Sequence, residues 1–500
     1  TRYIGDWSSD VCSSDLATIE NEVFGSFVEH LGRCVYNGIY EKDHPLADER
    51  GFRKDVMDIV KELEVPILRY PGGNFISGYD WKDTIGPKRR EVIDLAWRAL
   101  DPNTVGIDEF AYFASKVNSQ VLMAVNLGTD TIKSAQEIVE YCNLKDAGYW
   151  AKLRKEHGRE EPYNIRYWCL GNEMDGPWQI GTKTPEEYGR VALEAGKLMK
   201  WVDPSIRLVL CGSSSPTNPT FPEWDRKVLE IAYSQVDYLS LHAYYTYPTD
   251  DHNPKEFFAS AINFEQYIQS VEATIQYVKT LLRTKKDIYL AMDEYNIWHT
   301  FDGSNQVKKD WEIGAPLLEN HYDFADAIVL ATLLSTLINH ANSIKIACIA
   351  QLVNVIAPIL TERGGRVLKQ TIYYPFQMIS KYFRGKTALH LFKDIESYDT
   401  VTYGKAPKIY STCAYDEKEN AYVLLLINVN DMEEEVELSL DHECQLTKEI
   451  IYQSDDLHVQ NTFDKPFEIV PLEKDIKNDE ISLKKTLKLR KNSIGLFIIK

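Results

Sequence analysis

Eight short apolar runs recur along this chain, at Val23 to Val28, Val65 to Tyr70, Val121 to Asn126, Ile165 to Leu170, Ile206 to Cys211, Val236 to His242, Ile288 to Asp293 and Ile344 to Leu352. Between them lie longer stretches whose apolar residues return at i, i+3 and i+4, as in Phe52, Val56, Ile59, Val60 and Leu63, or Tyr188, Val191, Ala192, Ala195 and Met199. Such alternation is the pattern of repeated βα units, not of a sandwich. Eight strands and eight helices within about 350 residues match an α/β fold of the (β/α)8 TIM-barrel type carrying insertions, in preference to an open doubly wound sheet. After roughly Tyr382 the period changes to strand-like alternation, in Tyr422 to Asn430, Val436 to Leu440 and Ile494 to Lys500, which predicts a C-terminal antiparallel β-sandwich. The predicted division is 17–380 for the barrel and 381–500 for the sandwich. Residues 1–16, TRYIGDWSSDVCSSDL, carry neither period and read like a translated sequencing adapter, so they are set aside as an artefactual segment together with Cys12.

Charge narrows the partners. Lys and Arg total 56 against 75 Asp and Glu, a formal charge of −19, which argues against nucleic acid and anionic membrane surfaces. The apolar stretch from Ile344 to Ile359 is interrupted by Lys345, Gln351, Asn354 and Pro358, too broken for a membrane helix. The eight cysteines form no CxxC pair and no dense framework, the usage expected of reduced thiols in a cytoplasmic protein. No His, Cys or Asp cluster has metal-ligand spacing and no dinucleotide or phosphate-loop string occurs, so neither metal nor organic cofactor is expected.

In a (β/α)8 barrel the chemistry gathers at the C-terminal ends of the strands, so the polar residues that close the apolar runs are the candidates. The fourth run leads into Trp168-Cys-Leu-Gly-Asn-Glu173, and the seventh into Ala291-Met-Asp-Glu294-Tyr-Asn-Ile-Trp298. Two carboxylates at one barrel mouth, each with aromatic neighbours, are what glycosidic cleavage requires: one donates a proton, the other stabilises or attacks the anomeric carbon. Glu29, Asn74, Tyr244 and Gln351 close four further runs. Trp178 and Trp298 follow the carboxylate motifs, where they could stack on a leaving sugar or pack in the core. His242 could reach a sugar hydroxyl or line the barrel. The segment from Thr300 to Glu319 is long for a βα connection and could form the leaving-group side of a pocket or a subunit contact.

The strings Arg69-Tyr-Pro-Gly-Gly-Asn74, Trp168 to Trp178, Leu239 to Tyr244, Met292 to Trp298 and Ala350 to Asn354, in this order and spacing, together resemble the intracellular α-L-arabinofuranosidases of glycoside hydrolase family 51. The resemblance implies the barrel and sandwich read above, and an N-terminal strand for the sandwich from the region set aside. It implies that Glu173 is the general acid/base and Glu294 the nucleophile. Asn172 would bond the sugar 2-hydroxyl, Tyr244 would hold the nucleophile in line, and Glu29, Asn74 and Gln351 would contact the remaining furanose hydroxyls. Arg69 would pair with a carboxylate beneath the sugar without touching it. The activity implied is retaining, exo-acting release of terminal α-L-arabinofuranosyl groups from arabinan or arabinoxylan oligosaccharides by a cytoplasmic homo-oligomer, a hexamer by the same resemblance. A same-clan β-xylosidase or endo-β-1,4-glucanase, and a non-catalytic carbohydrate-binding protein, are the alternatives.

Overall fold

The structure is a computed structural model, and it describes residues 2–4, 17–249, 251–305, 309–391, 393–439, 443–477, 480–481 and 484–500. All eight predicted runs become strands of one closed parallel barrel. In chain order the strands are Gly25–Phe27, Ile67–Tyr70, Gln120–Val125, Tyr167–Leu170, Arg207–Cys211, Tyr238–Tyr245, Tyr289–Ile297 and Ile344–Ala350. Each pairs with the next, and the eighth closes on the first through Ile349 opposite Ser26. The helices between them cover the outside, which leaves these strands buried on both faces and accounts for their largely apolar character.

Two irregularities matter for the mouth. The register between the sixth and seventh strands slips between Ser240 and His242, and that between the seventh and eighth slips between Met292 and Tyr295. A bulge breaks the alternation of faces and re-aims side chains. Here it lets the consecutive residues Asp293 and Glu294 both turn inward, where each meets Arg69.

The helix Phe324–Asn339 joins the two halves of the molecule. Its sequence is apolar on every side and its residues from Phe324 to Ile338 are buried, as expected of a helix enclosed on all faces. An Asp323–Asp326 capping box starts it, the Ala325 N–H also reaches the Leu457 carbonyl of the sandwich, and at its far end Asn339 bonds Thr412. The sandwich sheet presents Val423, Leu425 and Ile427 to the continuous barrel-side core and Leu424 and Leu426 to a core of its own with Val436, Leu438, Leu487, Leu489 and Phe497. The run from Tyr422 is apolar at successive positions because both its faces are covered.

The domain limits differ from the sequence expectation. The helix Tyr373–Phe383 runs across the 380/381 division, and the first sandwich strand after it is Thr387–Leu389. Ala17–Thr18, expected to begin the barrel, pair with that strand. Arg2–Ile4, set aside on sequence grounds, form a strand parallel to Glu434–Ser439 and antiparallel to Lys393–Asp394, so the smaller sheet is not wholly antiparallel. The rest of the 1–16 segment lies outside the described residues. Cys34, Cys142, Cys169, Cys211, Cys348, Cys413 and Cys444 are buried free thiols. Among the described residues no helix is long and apolar enough to cross a membrane.

Candidate active site

Glu173 and Glu294 meet at the C-terminal mouth of the barrel. One carboxylate oxygen of each and a ring nitrogen of His242 lie within 4.8 Å of one another. Glu294 sits inside the seventh strand, where Arg69 Nη1 donates to its Oε1 at 2.6 Å and the Tyr244 hydroxyl to its Oε2 at 2.7 Å. Glu173 lies three residues past the fourth strand with φ of 42°, a left-handed conformation that costs a non-glycine residue on the order of 1–3 kcal/mol. A turn closed by the Gly176 N–H on the Glu173 carbonyl, 2.8 Å, holds it there. Its Oε1 faces His242 Nδ1 at 2.9 Å and its Oε2 accepts the Trp178 indole N–H at 2.6 Å.

The two carboxyls differ in what surrounds them. Burial raises the Glu173 pKa and the charge of Glu294 raises it further, against the lowering effect of the His242 and Trp178 hydrogen bonds. Burial alone would strip His242 of its proton, but Glu294, Asp293 and Glu173 outweigh it and move the imidazole up to about 10. Burial likewise works against the Asp293 carboxylate, yet Arg69 and His242 hold it down at about 2. Arg69 and His242 as cations, with Asp293 and Glu294 as anions, leave the cluster neutral when Glu173 keeps its proton. A third negative charge, on Glu173, would be unmatched, which is a further reason for it to be the proton carrier.

The remaining predicted residues assemble around this pair. Asn172 is buried, its Oδ1 takes the Arg69 Nη2–H at 2.7 Å, and its amide nitrogen lies 3.5 Å from Asn74 Oδ1 and 3.3 Å from Gln179 Oε1. Glu29 accepts from the Phe75 N–H at 3.0 Å, from Gln351 Nε2 at 3.1 Å and from the Trp97 indole at 2.9 Å, while burial pushes its carboxyl up to about 8. Gly73 explains the double glycine of the second motif: a Cβ there would stand 2.4 Å from Glu29 Oε2. Trp298 meets the Tyr244 ring edge-on at 5.7 Å and is half-buried, and Trp178 is 51% exposed beside Glu173.

Two participants escaped sequence reasoning, and a third does more than it was expected to. Trp97 sits on an inserted hairpin, Val92–Asp94 with Ala99–Asp101, which no periodic signal marked. Asp293 was readable only as the neighbour of Glu294. Arg69 was expected to pair with one carboxylate; it pairs with Asp293 at 3.0 Å and Glu294 at 2.6 Å and also anchors Asn172. The hairpin is tied to the segment after the seventh strand: Arg98 Nε donates to Asp310 at 2.7 Å and the Trp311 N–H to the Arg98 carbonyl at 2.8 Å. Residues 306–308 of that segment lie outside the described residues.

Glu173, His242 and Glu294 are the one grouping of potential metal ligands among the described residues. Arg69 and the raised His242 already supply the positive charge there, which disfavours a cation. A cavity of about 670 Å³ at the barrel–sandwich junction, lined by Glu265, Asn339, His340, Leu389, Tyr410 and Ser411 among others, contains none of the predicted residues.

The sequence matches two family models, the α-L-arabinofuranosidase 1 domain over residues 59–279 and the α-L-arabinofuranosidase C-terminal domain over residues 293–493. It is 47% identical over 450 residues to intracellular exo-α-(1→5)-L-arabinofuranosidase 1 of Bacillus subtilis, covering 89% of each chain. It is 42% identical over 412 residues to an exo-α-(1→6)-L-arabinofuranosidase of Bifidobacterium longum, covering 81% of this chain and 79% of that one. Among solved structures it is similar to AbfB, a family 51 α-L-arabinofuranosidase from Bifidobacterium longum, with TM-score 0.93 and 37% identity over 100% of this chain and 99% of that one. It is also similar to the Thermotoga maritima α-L-arabinofuranosidase in an arabinose complex, with TM-score 0.86 and 30% identity over 96% and 97% of the two chains.

Proposed function

The chain belongs to the family 51 α-L-arabinofuranosidases, and from that membership we propose that Glu173 is its general acid/base and Glu294 its nucleophile in a double displacement with net retention. It is a glycosidase, an exo-acting α-L-arabinofuranosidase whose substrates are arabinose-containing glycans. The relatives described above favour this over a xylosidase, a glucanase or a non-catalytic binding protein.

The observation that carries the assignment is the facing pair of carboxyls, close together, with burial and the neighbouring Glu294 charge raising the Glu173 pKa. Retaining enzymes hold the two groups about 5 Å apart, near enough for direct attack, whereas inverting enzymes leave room for a water. One oxygen of Glu294 and one of Glu173 lie within 4.8 Å of each other, a proximity that supports the retaining reading. Arg69 and Tyr244 orient Glu294 for attack on the anomeric carbon. The departing sugar hydroxyl is a poor leaving group and takes the Glu173 proton as the bond breaks. Once Glu294 is an ester its charge no longer raises Glu173, which then accepts a proton from the incoming water.

Asn172, fixed through Arg69, presents its amide to the sugar 2-hydroxyl. Glu29, Asn74 and Gln351 take the other furanose hydroxyls, and Trp178 and Trp298 flank the leaving group. The Arg98–Asp310 clasp joins the segments that follow the second and seventh strands. The linkage proposed is α-1,5, as in the Bacillus subtilis relative, and α-1,6 is the second reading because the Bifidobacterium longum relative is nearly as similar. The expected setting is a cytoplasmic homo-oligomer, a hexamer by family resemblance, which sedimentation will test.

Retention and both roles are tested together. Glu294→Ala should lose turnover by on the order of 10^4-fold or more, with azide yielding a glycosyl azide of inverted configuration. Glu173→Ala should lose far more on arabino-oligosaccharides than on dinitrophenyl α-L-arabinofuranoside, whose leaving group needs no proton. A Glu294→Ala enzyme keeping several per cent of its activity, or equal losses for Glu173→Ala on both substrates, would overturn the assignment.

A further inference from the structure

The mechanism above gives His242 no part, although it is 2% exposed and central to the charge cluster. Its Nδ1 lies 2.9 Å from Glu173 Oε1 and 3.6 Å from Glu294 Oε2. Its Nε2 faces Ser240 Oγ at 3.2 Å and Asp293 Oδ1 at 3.5 Å. The charged groups that face it are therefore Glu173 from the fourth strand and Asp293 and Glu294 from the seventh. Arg69, on the second, reaches it only through those last two, and its own strand contributes the neutral Ser240 hydroxyl.

We propose that His242 is a positioning residue for Glu173: its Nδ1 faces Glu173 Oε1 at 2.9 Å in the free enzyme and stays on that oxygen as it gains negative charge in the covalent glycosyl-enzyme, while Glu294 Oε2 lies farther off at 3.6 Å. The inference rests on the acid/base and nucleophile assignment. In the first step Glu294 bonds the anomeric carbon, the bond to the leaving oxygen breaks, and the Glu173 proton passes to that oxygen. Glu294 has become a neutral ester and Glu173 a carboxylate. In the second step water attacks the anomeric carbon, gives its proton to Glu173, and Glu294 departs as a carboxylate. His242 keeps its proton throughout, and the net charge of the cluster never changes; the negative charge only moves from one neighbour of the imidazolium to the other. Among buried groups, a carboxylate that appears without a counter-charge is strongly disfavoured. Nδ1, already 2.9 Å from Glu173 Oε1, supplies one without moving. Asp293, bonded from Ser240 and paired with Arg69, anchors the opposite ring edge.

The test uses His242→Gln and His242→Asn beside the wild type and Glu173→Ala. For each, kcat/KM is measured against pH on an arabino-oligosaccharide and on dinitrophenyl α-L-arabinofuranoside. The imidazolium lowers the Glu173 pKa, so its removal raises that pKa further. The alkaline limb on the oligosaccharide, where Glu173 loses its proton, should move up by about one pH unit or more. The neutral-pH loss should be about 10- to 100-fold on the oligosaccharide and several-fold smaller on the dinitrophenyl substrate. Limbs that stay in place with equal losses on both substrates would overturn the proposal and leave His242 a packing residue. Should both variants fail to fold, 15N resonances of the His242 ring in wild-type enzyme decide: a doubly protonated ring at pH 8 supports the proposal and a neutral one refutes it. Should Glu173→Ala retain its oligosaccharide activity, the acid/base assignment itself fails; if it shows the selective loss while the His242 profiles do not move, only the role of His242 fails.

Discussion

The mouth of the barrel and the sandwich treat charge in opposite ways. At the mouth Glu29, Arg69, His242, Asp293 and Glu294 are buried polar side chains pressed against one another. In the sandwich the core is built from apolar side chains such as Leu424, Leu426, Val436, Leu438, Leu487, Leu489 and Phe497, the buried Glu434 accepts from the Asn430 amide, and charged pairs such as Glu435 with Lys488 lie on the outside. Burying charge is expensive and seldom the most stabilising use of a core position. The sandwich follows the economical rule, and the mouth breaks it because fixed charges in a dry site are what stabilise an oxocarbenium-like transition state. The same fold thus contains a region organised for stability and a region whose organisation makes sense only as chemistry.

The sharpest way to break this contrast is to remove the cation that the mouth depends on. Arg69→Met keeps the length of the side chain and takes away the partner of Asp293 and Glu294 and the anchor of Asn172. Activity should fall by on the order of 10^2-fold or more, since a nucleophile displaced by about 1 Å already loses that much. Stability should fall by about 3–5 kcal/mol, the consequence of stranding buried carboxylates. The loss should also depend on pH in a defined direction. Asp293 is held at about 2, below its ordinary 3.8, so its stabilising contribution is complete above about 4 and disappears as the pH falls from 3.8 towards 2. Denaturant melts should therefore separate wild type from variant most at neutral pH and bring them together near pH 2. A variant as stable as wild type at pH 7 would mean that the cluster carries no such debt.

The counterpart in the sandwich is a change in apolar volume. Leu424 is fully buried, opposite Cys413 on one neighbouring strand and Phe497 on the other. Leu424→Ala should destabilise by about 2–5 kcal/mol. The turnover of the folded enzyme at 25 °C should stay within about twofold of wild type, because the substitution lies in the core on the far side of the sheet from the barrel. A large drop in kcat without unfolding would show that the sandwich core communicates with the mouth and that the division drawn here is too clean.

What could be read from the sequence follows the same division of physics. The barrel strands were legible because a strand covered on both faces must be largely apolar, as in Tyr167–Leu170, and Glu173, Glu294, Asn172 and Tyr244 were legible because they follow the apolar runs as polar residues. Trp97 was not, since its approach to Glu29 depends on a hairpin whose position is set by tertiary contacts. Nor was the shared inward aim of Asp293 and Glu294, because strand periodicity puts adjacent residues on opposite faces and only the register slips reverse this. His242 could be placed on a strand but not between two carboxyls 121 positions apart. The short strands Arg2–Ile4 and Ala17–Thr18 are too brief to carry a period, and their pairing comes from the sheet edges they complete.

The smallest expected effect is the one that most directly contrasts with Arg69. Glu435 and Lys488 stand directly opposite each other on adjacent strands, with their side-chain charges 3.1 Å apart and 49% and 66% exposed. Water screens such a pair and two long side chains must be ordered to form it, so exposed ion pairs contribute little. Lys488→Ala should leave the melting temperature unchanged to within about 1–2 °C and should not affect kcat. Any difference should vanish at about 1 M salt, where the screening length is about 3 Å. A destabilisation that persisted in high salt would locate the contribution of Lys488 in the packing of its methylenes over the sheet, not in its charge. The same salt series applied to Arg69→Met should change nothing, because that cluster is closed to ions, and a salt-sensitive Arg69 phenotype would show that the mouth is wetter than its burial implies.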